Sequence, residues 1–430
     1  MRELLKLAAR NLLRNRRRTL ITLAALVLGV GAMVAVHGFI SGLQGSLVEN
    51  IAEGQLGAVQ VHKKGFMANV LSSPLGLDMA DSPALRQKME AVPGVRGVTP
   101  RIQFGAMLST PDRPVPEGRE PTAAEQGKTS FFLVFGIDPP SDQKVFPRRL
   151  TWMAKGQPLT ASDSDEVLLG VELADGLGVA LFPHDAPRPP ETERPALLAP
   201  DRDGSLNGAN VEVVGTLKAG SPGDRRYGFV GLATAQKVLR MEGRVTEYAI
   251  AVNRLEDAGK VRDALAEVLG PEYEVHTWAQ ILPFLKELFG TQDFIFGIVA
   301  MIFLVVVLLG IVNAMLMSVL ERVREIGTML AVGMKRRQVI TMFILEGLLL
   351  GVAGGLVGAA VGWVAVLVAA RIGISLPAPG ATAPSVIRPT VTFLYLARSV
   401  GLAAAGSALA ALWPARRAAQ LRPVEALQSA

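Results

Sequence analysis

Residues 321–339, ERVREIGTMLAVGMKRRQV, stand between two long apolar runs. Residues 294–320 before them and 340–370 after them are almost all Ile, Val, Leu, Phe, Met, Ala and Gly. As helices rising ~1.5 Å per residue, both runs are long enough to cross a hydrocarbon core of ~30 Å. The charged connection is too short to be a domain, yet it keeps helical spacing. Val323, Ile326, Met329, Leu330 and Met334 share one face, and Arg322, Glu325 and Arg336 another. This predicts an amphipathic helix at the inner membrane surface, where charge between two spans marks a place of contact with a partner.

The composition of the 430 residues extends this reading outward. Half are apolar, 19% are charged and the mean hydropathy is +0.34, too hydrophobic for an ordinary soluble domain and too polar for spans alone. Two further apolar runs, 19–40 and 391–413, bring the expected spans to four, with Arg398 interrupting the last. Roughly 250 residues of mixed composition separate the first two spans, which is the size of a domain. The fold class is therefore an α-helical membrane protein with four transmembrane helices and a large α+β extracytoplasmic domain inserted between helices 1 and 2. The expected division is a basic N-terminus 1–18, span one 19–41, the outer domain with its stalk 42–290, span two 291–320 and the amphipathic helix 321–337. Span three 338–370, a short outer loop 371–390, span four 391–413 and a tail 414–430 follow.

Lys and Arg beside spans are retained on the cytoplasmic side, whereas long domains translocate largely regardless of charge. Arg2, Lys6, Arg10, Arg14, Arg16, Arg17 and Arg18 face only Glu3 in the N-terminal flank; Arg322, Arg324, Lys335, Arg336 and Arg337 mark the middle connection, and Arg416, Arg417 and Arg422 the tail. The connection between spans three and four has only Arg371 and Arg388. Both termini of the multi-pass chain are thus expected in the cytoplasm, with the large domain and the connection between spans three and four on the outer side. The first span is longer than a signal-peptide core of ~7–15 residues. The net charge of +6 is accounted for by flanks that favour an anionic leaflet, so lipid and not nucleic acid is the expected partner. With no cysteine, the outer domain must rely on its hydrophobic core.

Within that domain, β-like runs at 57–61, 131–137, 166–169, 211–217 and 248–252 alternate with helical stretches at 83–92, 234–241 and 255–269. Two stretches rich in Pro and charge, 111–128 and 183–207, read as mobile surface loops, or else as partner-docking arms. Ile281, Leu282, Leu285 and Leu288 form a helical stripe, predicting one continuous helix from 278 into span two.

Motifs for chemistry are missing. No G-x-x-x-x-G-K-[ST] loop is present to cradle nucleotide phosphates, and no G-x-S-x-G elbow. His37, His62, His184 and His276 are scattered without ligand spacing. No catalytic residue, metal site or bound cofactor is expected in this chain. Span three instead carries two glycine stripes, Gly347, Gly351 and Gly355 beside Gly354, Gly358 and Gly362. Such stripes let helices approach closely, either within the monomer or at a dimer interface or moving seam. Glu346 in span three and Arg398 in span four are ionisable residues inside spans, read as snorkelling or locally paired, or as lining a polar cavity. His37 is read as interfacial.

The order ARNLLRNRRRTLITLAALVLGV, a large outer domain, ERVREIGTMLAVGMKRRQV with LEGLLLGVAGGLVGAAVGW, and finally WPARRAAQLRPVEAL resembles the FtsX-like permeases. These include the membrane subunits of MacB-type and LolCDE-type ABC systems. The resemblance covers both ends and all four spans, and it is weaker through VPGVRGVTP, FGIDP, LLGVELADGLGV and VEVVGTLKAG in the outer domain. It implies that two permease protomers, alike or related, pair. Each would dock its inner coupling helix on an ATPase subunit that uses ATP and Mg, and pass nucleotide-driven closure to the outer domains. Carried over by motif, Glu321, Arg322, Arg324, Glu325, Ile326, Gly327, Met329 and Gly333 form the coupling segment, its charges pairing at the ATPase groove and Ile326 and Met329 filling it.

No ATPase domain is fused at the N-terminus as in MacB, so a separate ATPase chain is expected. The layout leans towards the lipoprotein-releasing LolC/LolE branch, with a lipoprotein substrate and a periplasmic carrier. The alternatives are efflux of a peptide, drug or other amphiphile with an adaptor and an outer-membrane tunnel, and a non-transporting activator of a cell-wall hydrolase like FtsX itself.

Overall fold

The computed structural model describes residues 2–14, 16–72, 74–112, 126–182, 188–219, 226–377 and 383–421. In chain order the helices are α1 (Arg2–Arg14), α2 (Arg16–Gly54), α3 (Pro83–Glu90), α4 (Pro139–Val145), α5 (Pro147–Thr151), α6 (Val171–Leu177), α7 (Leu232–Leu239), α8 (Ala258–Leu269), α9 (Trp278–Ile281), α10 (Pro283–Glu321), α11 (Val323–Ala331), α12 (Arg336–Ile372) and α13 (Phe393–Ala419). The strands are β1 (Val59–Lys63), β2 (Met79–Ala80), β3 (Val95–Ser109), β4 (Thr129–Ile137), β5 (Met153–Gly156), β6 (Glu166–Gly170), β7 (Ala196–Pro200), β8 (Leu206–Asn210), β9 (Glu212–Leu217), β10 (Tyr227–Gly231), β11 (Arg244–Val245), β12 (Glu247–Val252), β13 (Tyr273–Thr277), β14 (Ile374–Pro377) and β15 (Pro384–Ile387). They fall into two units, one made of Met1–Gly45, Glu287–Ile374 and Val386–Ala430, the other of Ser46–Lys286 and Ser375–Ser385.

The first unit is helical. The four helices Thr19–Gly54, Pro283–Glu321, Arg336–Ile372 and Phe393–Ala419 are long and apolar enough to cross a membrane. Local chemistry sets their ends. Thr392 caps α13 by accepting from the Tyr395 N–H, and Gln338 caps α12 by accepting from the Lys335 N–H at 2.8 Å. Gly373, at φ 72°, ends α12 in a conformation that favours glycine. The predicted continuous helix from 278 is a correction. Leu282 sits at φ −118° and ψ 68°, so α9 stops and α10 begins with Pro283. The proline ring drives the preceding residue out of the helical region while suiting the first helical position itself. The Ile281, Leu282, Leu285 and Leu288 stripe is consequently split between two helices, with Leu285 buried and Leu288 exposed.

The second unit is built on an 11-stranded mixed sheet in the order β13-β1-β12-β3-β4-β10-β6-β9-β5, with β7 paired to β3 and β8 to β7. β4 with β10 and β6 with β9 are parallel; the other pairs in the sheet are antiparallel. Alternating side chains of β3 and β4, including Phe104, Ala106, Leu108, Phe132 and Val134, meet α3, α6, α7 and α8 residues in the main core. A smaller cluster on the other face joins Phe135, Trp152, Leu168, Leu217 and Phe229. Ala383, from the connection between α12 and α13, packs into this cluster and its N–H donates to the Ala219 carbonyl at 2.9 Å.

The stretch 183–207 is a second correction. Its residues 183–187 lie outside the described residues, but Ala196–Pro200 is a core strand in which Leu197 and Ala199 are fully buried, paired with both β3 and β8. Alternation in ALLAP places Leu197 inside and Leu198 outward, a pattern concealed by the surrounding Pro and charge. The other insertion lies mostly at 113–125, outside the described residues, as do His184, Gly220 and Arg422. Its ends close the β3–β4 hairpin, where the Thr110 N–H donates to the Lys128 carbonyl at 2.9 Å.

Candidate functional site

The short helix α11 is set apart from α10 by Arg322, whose φ of −119° and ψ of 19° interrupt the helix. It ends at Val332 and Gly333, where Gly333 takes φ 104°, and the Met334 N–H returns to the Met329 carbonyl at 3.0 Å. The apolar spacing sends Ile326 inward, to full burial against Val319, Val339, Met342, Phe343, Ala415 and Ala418. Gly327 is buried beside it, and Met329, Leu330 and Met334 border the same cluster. The expectation that Ile326 fills a partner's groove is thus corrected: it is part of this chain's own core.

Two charges at the start of α11, Arg322 and Glu325, are equally committed to the chain. Arg322 donates through Nε to Glu325 at 2.8 Å and through Nη2 to Asn11 Oδ1 at 2.8 Å, and Arg14 pairs with Glu325 at 2.6 Å. The Arg322 hydrogen bond, joined by Arg14, holds the Glu325 carboxyl below the usual carboxylate range against the opposing effect of burial. Asn11 and Arg14 of α1 are residues that the motif did not single out. The basic amphipathic character of the N-terminal segment was their signal. Glu321 at the end of α10, Arg324 and Thr328 of α11, and then Val332 at 84% exposure and Gly333 in the turn after it are exposed.

The glycine rows of α12 are used within the chain. A Cβ on Gly347 or Gly351 would lie 2.8 Å or less from backbone atoms of α13 at Ser407 and Ala403, and one on Gly355 would meet Ala403 Cβ at 3.2 Å. Gly354, Gly358 and Gly362 face α2 instead, at Leu26, Val30 and Gly31 with Val34. Both stripes are therefore internal seams, and the dimer reading of these six glycines is corrected: the chain's own helices occupy both. Glu346 is buried at 4% exposure inside the bundle and does not snorkel, whereas Arg398 is exposed on α13. The His37 ring stacks on Tyr395 of α13, with centroids 3.5 Å apart.

The MacB-like periplasmic core domain family matches residues 19–268, more than half of the chain, and the FtsX-like permease C-terminal family matches residues 297–423. The chain belongs to the MacB-like, FtsX-like permeases. This permease is 26% identical over 439 residues to a macrolide export ATP-binding/permease protein MacB of Marinobacter nauticus, covering 99% of this chain and 61% of the relative. It is 25% identical over 431 residues to the pyoverdine export ATP-binding/permease protein PvdT of Pseudomonas aeruginosa, covering 96% and 57%. The chain thus spans less than two thirds of the length of these relatives. Among solved structures, the periplasmic region of MacB from Actinobacillus actinomycetemcomitans aligns at 11% identity and a TM-score of 0.34, covering 56% of this chain and 97% of that one. The extracellular domain of the transporter YknZ aligns at 13% identity and a TM-score of 0.31, covering 51% and 99%.

Proposed function

We propose that this permease docks an ABC-type ATPase on the outward edge of α11 and the turn after it, and passes nucleotide-driven motion to the sheet domain to expel an amphiphile. The observation that carries the reading is the way α11 is held. Its apolar face and its acid are fastened inside the chain, so Arg324, Thr328, Val332 and Gly333 stand on a rigid support facing away from it. The three basic flanks support an inner-membrane orientation with both termini and α11 in the cytoplasm. A second permease protomer completes the assembly, ATP and Mg belong to the ATPase, and a periplasmic adaptor receives the amphiphile. The names of the relatives favour export over the lipoprotein release suggested by the layout of the sequence.

The test is the full chain purified from native membranes with the ATPase that accompanies it. Val332→Asp places a charge on the exposed tip. It should abolish ATPase co-purification and permease-stimulated hydrolysis while the unfolding temperature stays at the wild-type value. Ile326→Asp, which buries a charge in the chain's own core, should lower that temperature. Retention of the ATPase at a normal rate by the Val332 variant overturns the docking surface.

A further inference from the structure

The end of α2 is gripped by a cluster of charges and rings that the proposed docking does not use. Three side chains on its last turns, Glu49, Asn50 and Glu53, all bond Arg148 of α5: Nε reaches Glu53 at 3.1 Å, Nη1 reaches Asn50 at 2.8 Å, and Nη2 reaches Glu49. Arg96 takes the other Glu53 oxygen at 3.2 Å. The carbonyls left over at the helix end are met by buried guanidinium groups. Arg149 Nε donates to Gly54 O at 3.3 Å and Arg101 Nη1 to Gln55 O at 2.5 Å. Cations at a helix C-terminus suit both its orphan carbonyls and its dipole. Gly54 itself lies so close to the rim of Trp152 that a Cβ there would come within 1.9 Å of the indole.

Behind the helix the two arginines are locked in turn. Arg149 pairs with Asp142, and Arg101 Nε lies 3.4 Å from Glu247. The Phe146 ring lies between both guanidinium groups, 4.8 Å from that of Arg101 and 4.5 Å from that of Arg149, while Phe135 and Phe229 take their other contacts at 4.3 Å each. Four charged groups with 5% exposure or less are costly to bury, and well-packed apolar residues of the same volume serve stability as well or better. What the charges add is direction: each guanidinium fixes a rotation and a register of the helix end that apolar contacts leave open.

We infer that Arg148 and Arg149 are positioning residues that, with Arg101 and Trp152, form a socket for the end of α2, delivering its displacement to α4, α5 and β3 without slip. This inference rests on the proposed ATP-driven motion. The test is hydrogen exchange of the full permease with its ATPase, nucleotide-free and trapped with ADP and vanadate, in the wild type and in Arg148→Ala. Arg148 is one-third exposed, so its removal leaves no buried cavity and strands no buried charge.

In the wild type, trapping should change exchange in peptides covering 139–156. In Arg148→Ala that change should be lost, with hydrolysis, unfolding temperature and nucleotide-free exchange all at wild-type values, and the charge swap Glu49→Arg with Arg148→Glu should restore it. A wild-type-sized change in Arg148→Ala overturns the socket. So does altered nucleotide-free exchange throughout 126–182, which would make the arginine purely structural. A wild-type complex with no nucleotide-dependent change overturns the proposed function and this inference with it.

Discussion

His62 shows how a single side chain couples the sheet domain to pH. It lies on β1 at 1% exposure, its Nδ1 3.2 Å from the Thr246 carbonyl, its Nε2 3.0 Å from Gln60 Oε1, and its ring stacked on Phe66. Burial pushes its pKa below the ordinary 6.5, opposed by the Glu247 charge and the Thr246 carbonyl. The folded state therefore binds its proton less readily than the unfolded chain does. Its stabilising effect is fully present above pH 6.5 and falls away as the pH drops from there through the folded value. Denaturant unfolding followed by tryptophan fluorescence should show wild-type stability declining below that pH, and His62→Gln should flatten the decline. An equal slope in both proteins would assign the pH dependence to other groups.

Among the elements, the α12 seams are the most exacting. At Gly358 a Cβ would meet Val30 Cβ at 2.9 Å and the Val27 carbonyl at 3.0 Å, whereas at Gly310 of α10 nothing lies within 4 Å. Gly358→Leu should cost about 1–3 kcal/mol through overpacking, and Gly310→Leu close to nothing, as read by thermal unfolding in detergent. Equal losses would put Gly358 outside a tight seam. The helices themselves were legible because unbroken apolar runs have few other uses, and the glycine spacing announced close approach. Which helices would approach was not legible, since Leu26 and Ala403 lie hundreds of residues away or on the far side of a loop. In α11, periodicity grouped Ile326 with Met329 correctly but could not say that this face turns into the chain. Nor could it reveal that Asn11 and Arg14, some three hundred residues earlier, would hold Arg322 and Glu325. Strand β7 was hidden by its neighbours, because Leu197 and Ala199 are too short an alternation to outweigh the prolines and charges around them. Leu282 was lost in a good helical stripe whose one disqualifying feature was the proline after it.

For the molecule as a whole, α10 stands out as the long apolar helix least covered by its own chain. Phe294 at 69%, Met301 at 61%, Ile302 at 58%, Val306 at 61% and Leu309 at 62% exposure need lipid or a second protomer. The cysteine-free sequence makes this directly testable. Ile302→Cys, oxidised in native membranes, should yield a covalent pair of chains; a monomer band alone would leave α10 to lipid. The glycine rows of α12 also constrain how such a sequence can diverge over time. At Gly354, whose nearest neighbours are all Leu26 side-chain atoms, a larger residue is admissible only where Leu26 has already become smaller, so those two positions should change as a matched pair. At Gly347, Gly351, Gly358 and Gly362, by contrast, backbone atoms of α13 or α2 stand in the way and glycine should persist. The exposed residues of α10 lie outside that restriction and can drift with whatever company they keep, whereas Ile311, Met315 and Val319 are held in the bundle.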